Sequence, residues 1–169
     1  MNLRHDLRPG DVATIVRLHG EIYALERGWD SSFEQYVADG LGHFSASPDD
    51  RRNRIWLVEE SEELIGMIGI VADGIDSAQL RWFLVVPAAR GRGLGTMLLD
   101  RAVRFCRDAG YRSVFLWTVA GLDKAATLYT RSGFTLVETI EHRRWGEHLI
   151  EQRYEMELAP LSREASAAG

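Results

Sequence analysis

The stretch "VVPAARGRGLGTMLLDRA", Val85 to Ala102, constrains this chain more than any other. An apolar segment passes Pro87 into Gly91, Gly93 and Gly95, with Arg90 just before the first glycine and Arg92 between the first two. Pro87 has no amide hydrogen and so ends strand pairing. Beyond the glycines Leu94, Met97, Leu98, Ala102, Phe105, Cys106 and Ala109 recur at the 3.6-residue spacing of an amphipathic helix that closes at Gly110. Strand, glycine turn and helix in that order make an anion site, because free amides and the positive dipole end converge at a helix start. Gly93 and Gly95 would let those amides approach a bulky phosphate without Cβ obstruction, and Arg90 and Arg92 would add charge-assisted hydrogen bonds. The turn therefore suits a diphosphate. The plainer alternative is a tight turn with two solvated arginines.

A nucleoside triphosphate loop requires GxxxxGK[ST], and no lysine follows these glycines. A dinucleotide fingerprint requires a third glycine where Thr96 stands, and it expects an early βαβ unit. Here three strands of antiparallel pattern come first: "RIWLVEE", "ELIGMIGIVAD" and "AQLRWFLVV", joined by turns at Ser61 to Glu63 and at Asp73-Gly74.

The other elements follow from period and punctuation. "NLRHDL" is a short strand, and Asp11 is placed to cap a helix through Val12, Ile15, Val16, His19, Ile22 and Tyr23 that Gly28 breaks. Ser32 with Gln35 forms a capping-box pattern for a second helix through Phe33, Tyr36, Val37 and Leu41. Downstream, "SVFLWTV" reads as a buried strand, Leu122, Ala125, Ala126 and Tyr129 mark a short helix capped by Gly133, and the remainder is a hairpin turning near Trp145-Gly146. The order β, α, α, β, β, β, α, β, α, β, β predicts a single α/β domain over residues 1–158, with a mixed, mostly antiparallel seven-stranded sheet flanked by about four helices. From Ala159 onward, "APLSREASAAG" reads as a flexible tail, residues 159–169.

Composition removes several classes of function. A length of 169 residues, 46% hydrophobic and 27% charged, describes about one globular domain. A net charge of −5 argues against a nucleic-acid or membrane-surface partner. The one cysteine, Cys106, excludes an intramolecular disulfide, and no CxxC or His-rich spacing offers a zinc site, so no metal is expected. No apolar run approaches the ~20 residues of a spanning helix, and "MNLRHDLRPGD" has no signal-peptide core. A cytoplasmic location is the expectation.

Arg90, Gly93 and Gly95 match the [RQ]xxGx[GA] signature of the GNAT acetyltransferase superfamily. "VVPAARGRGLGTMLL" resembles the family's V-x-P-x-x-R-G-x-G-x-G-x-x-L-L setting, and "AATLYTRSGF" resembles its A-x-x-LY-x-x-x-GF segment. The resemblance covers roughly residues 2–158 in the family's element order. It implies acetyl-coenzyme A as co-substrate, held by Leu84, Val85, Val86, Arg90, Gly91, Arg92, Gly93, Leu94, Gly95 and Thr96. It further implies direct acetyl transfer to a primary amine of a small molecule where the fourth and fifth strands separate, with a backbone N–H near Val85 or Val86 holding the oxyanion. Tyr129 would give a proton to the departing thiolate. Acetylation of a protein or peptide amine, and a non-catalytic acyl-CoA sensor, are the rival readings; a homodimer is compatible with each.

A closer resemblance is to acetyltransferase domains fused behind MarR-type regulators, which carry HG-x-x-Y-x-x-E-x-GW; here these are His19, Gly20, Tyr23, Glu26, Gly28 and Trp29. The winged-helix half has no counterpart in this sequence, so the expectation is the catalytic part standing alone. Tyr23, Glu26, Trp29 and Arg81 are the candidate acceptor-binding residues. Alternation along "AQLRWFLVV" puts Arg81, Phe83 and Val85 on one face, so an arginine looks toward the acceptor and favours one that carries a carboxylate.

The chain departs from the family pattern at two places. Leu122 stands where many members have asparagine, and the fourth strand lacks the glutamate that often serves as base. His19, Glu21, His142 and His148 are weaker candidates, and the base is unassigned.

Overall fold

The computed structural model describes residues 1–47, 49 and 51–159. Most of the tail expected from Ala159 thus lies outside the described residues. Among the described residues each segment patterned as a strand forms one: β1 (Asn2–Arg4), β2 (Arg54–Glu60), β3 (Glu63–Asp73), β4 (Ser77–Val85), β5 (Ser113–Val119), β6 (Thr135–Arg144) and β7 (Glu147–Glu157). The helices are α1 (Asp11–Arg27), α2 (Ser31–Ala46), α3 (Leu94–Asp108) and α4 (Asp123–Arg131). The strands make one sheet in the order β1-β2-β3-β4-β5-β7-β6. Only β4 and β5 run parallel, as α3 crossing between them requires. One face buries Ile68, Ile70 and Leu80 with Leu98 and Leu99 of α3. The other buries Met67 and Trp82 with Ile15 of α1 and Phe33, Val37 and Leu41 of α2. No helix among the described residues is long and apolar enough to cross a membrane.

Two helix starts differ from expectation. Gly10, at φ 92, takes the cap position of α1, so Asp11 becomes the first helical residue. Its carboxylate accepts from the Arg8 amide at 2.6 Å and from Arg4 at 2.7 and 2.8 Å, while Arg4 also holds Glu59 at 2.8 Å. Burial works to raise the Asp11 carboxyl pKa, but the Arg4 and Arg8 hydrogen bonds prevail and hold it below the usual carboxylate range. In α2 the cap is Asp30 rather than Ser32: its carboxylate accepts from the Ser32 amide at 2.9 Å, and Gln35 donates instead to Asp39 at 2.8 Å.

The irregularity that matters most lies in β4. Its register with β3 runs Val85 to Gly66 and Leu84 to Met67, then resumes at Arg81 to Gly69. Trp82 and Phe83 thus oppose Ile68 alone, a β-bulge, and Trp82 adopts φ 50. The bulge reverses the alternation. Ala78 and Leu80 pack in the α3 layer, whereas Trp82 and Leu84 pack in the α1–α2 layer. The expectation that Arg81, Phe83 and Val85 share a face is therefore corrected. Phe83 and Val85 join the α3 layer. The Arg81 guanidinium lies instead against α2, 5.5 Å from the Tyr36 ring and so close to Gly40 that a Cβ there would meet Nη2 at 2.6 Å.

Pairing between β4 and β5 extends only from Ser77–Gln79 to Ser113–Phe115, while β5 stays paired with β7 as far as Val119. Beyond Gln79 the two parallel strands part, and the gap is bordered by the bulge on one side and by Leu116 to Val119 on the other.

Candidate active site

Two cavities meet at that gap, and Tyr23, Phe83, Thr118, Leu122 and Tyr129 line both. The first, about 550 Å³, is walled by the glycine turn and the starts of α3 and α4. Gly91 and Gly93 stand at φ 76 and 77, with nothing within 4 Å of an ideal Cβ. The left-handed backbone calls for glycine there, and the open space before it is what a phosphate would fill. Gly93 caps α3 without a side chain, and the first helical bond runs from the Met97 amide to the Gly93 carbonyl at 3.1 Å. The amides of Leu94, Gly95 and Thr96 are left without intrahelical acceptors at the cleft. This donor set fits a diphosphate. At Gly95 a Cβ would meet Leu128 of α4 at 3.4 Å, an ordinary packing contact, so the packing of α3 on α4 does not itself call for glycine there. Lys124, the chain's one lysine, lines the same cleft from α4; no spacing in the sequence had singled it out.

The two arginines of the turn are placed differently from expectation. Arg90 lines the cleft, but it holds Glu26 of α1 at 2.7 and 3.3 Å and donates from Nε to the Val85 carbonyl at 3.1 Å. Arg92 turns away to Glu60 at the end of β2, at 2.7 and 2.9 Å, and does not line the cleft. Val86 does not line it either, because its amide donates to the Ile65 carbonyl at 3.0 Å across β3. Ladder alternation then aims the Val85 amide away from β3 and into the gap. Of the residues expected at the cofactor, Leu84, Val85, Arg90, Gly91, Gly93, Leu94, Gly95 and Thr96 come together.

The second cavity, about 360 Å³, lies under α1 and α2. Tyr23 and Trp29 stack at 4.7 Å with their planes 8° apart, and Trp145 lies 4.5 Å from Trp29. Trp145, at φ 53, is the turn residue of the β6–β7 hairpin, and its carbonyl accepts from the Asp30 amide at 3.0 Å. The hairpin tip is thereby fastened over the α1–α2 connection. The glycines near the N-terminus serve the same wall. A Cβ on Gly20 would collide with the Glu34 side chain of α2, and Gly28 at φ 72 ends α1 and turns the chain toward Trp29. Tyr23, Trp29 and Arg81 line this cavity as expected; Glu26 does not, because it reaches the other cleft and holds Arg90.

Tyr129 stands where the cavities join. Its ring packs 6.2 Å from Phe83, 6.0 Å from Phe134 and 5.7 Å from Tyr154. Burial pushes its hydroxyl pKa well above the usual tyrosine value. His19 is buried beside the second cavity, with Nδ1 2.8 Å from the Ile15 carbonyl. A carbonyl only accepts, so Nδ1 carries the hydrogen and Nε2 presents a lone pair that has no partner among the described residues. Burial pushes the His19 pKa down to about 4, which keeps the ring neutral.

Glu151, like Lys124, stands outside every motif of the sequence. It is buried on β7 and lines the second cavity; Oε1 accepts from Arg144 at 3.1 Å. His142 Nε2 lies 3.3 Å from Oε2, too poorly aligned for a hydrogen bond. Alternation with the buried Leu149 two residues earlier was a usable signal. His148 pairs with Glu141 at 2.9 Å and Glu21 with Arg17 at 2.9 Å, both at exposed surface.

Comparison with known proteins bears on family and fold. The profile of the acetyltransferase (GNAT) family matches residues 19–134. N-acetyltransferase 8B of Rattus norvegicus is 32% identical over 90 residues, 50% of this chain and 40% of that protein. The uncharacterized N-acetyltransferase YjgM of Escherichia coli K12 is 33% identical over 49% of this chain and 52% of that protein. The chain thus spans about half or less of these relatives' length. Among solved structures, an acetyltransferase from Streptococcus agalactiae 2603 superposes with a TM-score of 0.74 at 21% identity, covering 93% of this chain and 98% of that one.

Proposed function

The chain belongs to the acetyltransferase (GNAT) family, and from that premise we propose that it carries an acetyl group from acetyl-coenzyme A to a primary amine of a small molecule. The observation that carries this reading is the Tyr129 ring at the junction of two cavities, one built for a diphosphate and the other walled by aromatic side chains. Acetyl-coenzyme A, when bound, supplies the thioester that gives up its acetyl group. The amides of Leu94, Gly95 and Thr96 hold the diphosphate, with Lys124 and an Arg90 released from Glu26 adding charge. The Val85 amide donates toward the acyl oxygen. Tyr129 keeps its proton at working pH, because burial opposes ionisation, and gives it to the departing sulfur, while the proton that the amine nitrogen sheds on forming the amide replaces it. Both cavities open on one gap, so proximity supplies much of the rate.

A volume of about 360 Å³ lies at the small end of ligand sites, and the hairpin tip over α1 and α2 narrows the approach. Both favour a small amine over a protein side chain. Kinship with the domains fused to MarR-type regulators rests on the motif from His19 to Trp29 alone, whose Tyr23 and Trp29 here form part of the aromatic wall. The buried thiol of Cys106 suits the cytoplasm.

Thiol release from acetyl-coenzyme A, measured against amino acids, polyamines, aminoglycosides and small aromatic amines, tests the reading. Coenzyme A should also raise the melting temperature, since a ligand at 100 times its Kd adds ~2.7 kcal/mol to the native state. A larger shift with NADH would refute the cofactor. Binding of acetyl-coenzyme A without turnover of any amine would make the protein a sensor.

A further inference from the structure

The acceptor cavity is lined by two guanidinium groups and one carboxylate, those of Arg81, Arg144 and Glu151. Glu151 answers Arg144 at 3.1 Å. Among the described residues no carboxylate lies within ion-pair distance of Arg81; its guanidinium rests instead on the rings of Trp82, at 4.9 Å, and Tyr36, at 5.5 Å. The indole Nε1–H of Trp82 is buried with no acceptor among the described residues. A buried donor without a partner is rare and calls for an explanation.

The bulge explains why these two groups lie together. Neighbouring side chains of a regular strand point to opposite faces, yet Arg81 and Trp82 both line the acceptor cavity, because Trp82 at φ 50 turns the strand between them. We infer that Arg81 and the Trp82 indole N–H form a carboxylate subsite, and that the acceptor is an amine which also carries a carboxylate on an apolar or aromatic body, as an α-amino acid does. This rests on the proposed acetyl transfer only for which cavity receives the amine. A guanidinium offers paired donors matched to the two carboxylate oxygens, and the indole adds a third. The lining carries one positive charge in excess, with His19 neutral. Tyr23, Trp29, Phe33 and Trp145 leave apolar surface for the rest of the molecule.

Matched pairs that differ only in the carboxylate test the inference: L-phenylalanine against phenethylamine, and L-methionine against 3-(methylthio)propylamine. With acetyl-coenzyme A saturating, the wild type should show a KM at least tenfold lower for the carboxylate member of a pair. Arg81→Gln should erase that preference, bringing the KM ratio within each pair close to one, while Arg81→Lys should keep part of it. A melting shift with coenzyme A equal to that of the wild type shows that each variant is folded with its cofactor cleft intact. The fluorescence of Trp29, Trp82 and Trp145 reads acceptor binding in the presence of coenzyme A without turnover. Carboxylate-selective quenching that Arg81→Gln removes, with no transfer to any amine, would support the subsite and refute the acetyl-transfer reading. Equal use of both members of each pair, preference for spermidine, equal loss of both members in Arg81→Gln, or quenching without carboxylate preference would overturn it.

Discussion

The hydroxyl of Tyr129 can be removed with little else changed. Its ring contacts with Phe83, Phe134 and Tyr154 survive in Tyr129→Phe. No hydrogen bond of the oxygen to another described residue is lost, so stability should move by no more than about 0.5 kcal/mol. Coenzyme A affinity should hold as well, since the diphosphate groups lie at the other end of the cleft. A positioned general acid contributes about 10²–10⁴ in rate. A thiolate leaves tolerably well without one, so the expected fall in kcat ranges down to about tenfold, or ~1.4 kcal/mol in the barrier. The sign of the pH dependence follows from burial: a hydroxyl whose pKa is raised keeps its proton above pH 10, so Tyr129 introduces no alkaline limb below that point. The assay is thiol release with both substrates saturating. The chain's own thiol stays silent, because Cys106 is buried and its pKa is pushed up to about 12. Full kcat in Tyr129→Phe, with chemistry shown to limit turnover, would refute the general-acid role.

Other perturbations test other parts of the arrangement. Glu26→Gln frees Arg90 from a partly exposed ion pair worth about 0.2–1 kcal/mol; the Kd for coenzyme A, by calorimetry, should tighten about 1.5- to 5-fold, and a weaker Kd would mean that Glu26 aims Arg90 correctly. Gly93→Val forces a β-branched residue to φ 77 and fills the space before the α3 amides, so the coenzyme A melting shift should vanish; an unchanged shift relocates the diphosphate. His19 is neutral in the fold down to about pH 4, whereas unfolded it takes a proton near its ordinary 6.5. Its neutral burial therefore costs nothing above pH 6.5 and an increasing amount as pH falls, about 2 kcal/mol at pH 5. Denaturant titrations should show His19→Gln losing about that much less stability than wild type between pH 7.5 and 5; an equal loss would place the acid sensitivity elsewhere, with Asp11 and Arg4 the next pair to test.

The parts of the fold legible in the sequence are those governed by local rules. β2, β3 and β5 have the bounds their apolar runs suggest, and the glycine turn was readable because left-handed backbone before a helix needs glycine. The turn residues Trp145 and Gly146 announced the last hairpin. The bulge was not legible, since a tryptophan at φ 50 has no sequence signature; Arg81 was therefore assigned to a face shared with Phe83 that it does not share. Nor were the partners of the turn arginines readable: Glu26 is 64 residues from Arg90 and Glu60 is 32 from Arg92, and only the folded sheet and α1 bring them together. Glu151 was within reach of the alternation rule but hidden among the charged residues of β7.

The bulge in β4 also bears on how such a protein diversifies. Arg81 and Trp82 line the cavity under α1 and α2, while Leu84 and Val85, only a few residues on, line the cleft of the glycine turn. On the proposed assignment of the two cavities, point mutations on the near side of the kink should explore new acceptors while carrier affinity is inherited intact, so that one short strand would hold a variable half and a constant half. Libraries randomised at Gln79 and Arg81 should therefore yield altered amine preferences at nearly constant coenzyme A affinity, whereas the same effort at Leu84 and Val85 should mostly yield variants that fail to hold the carrier.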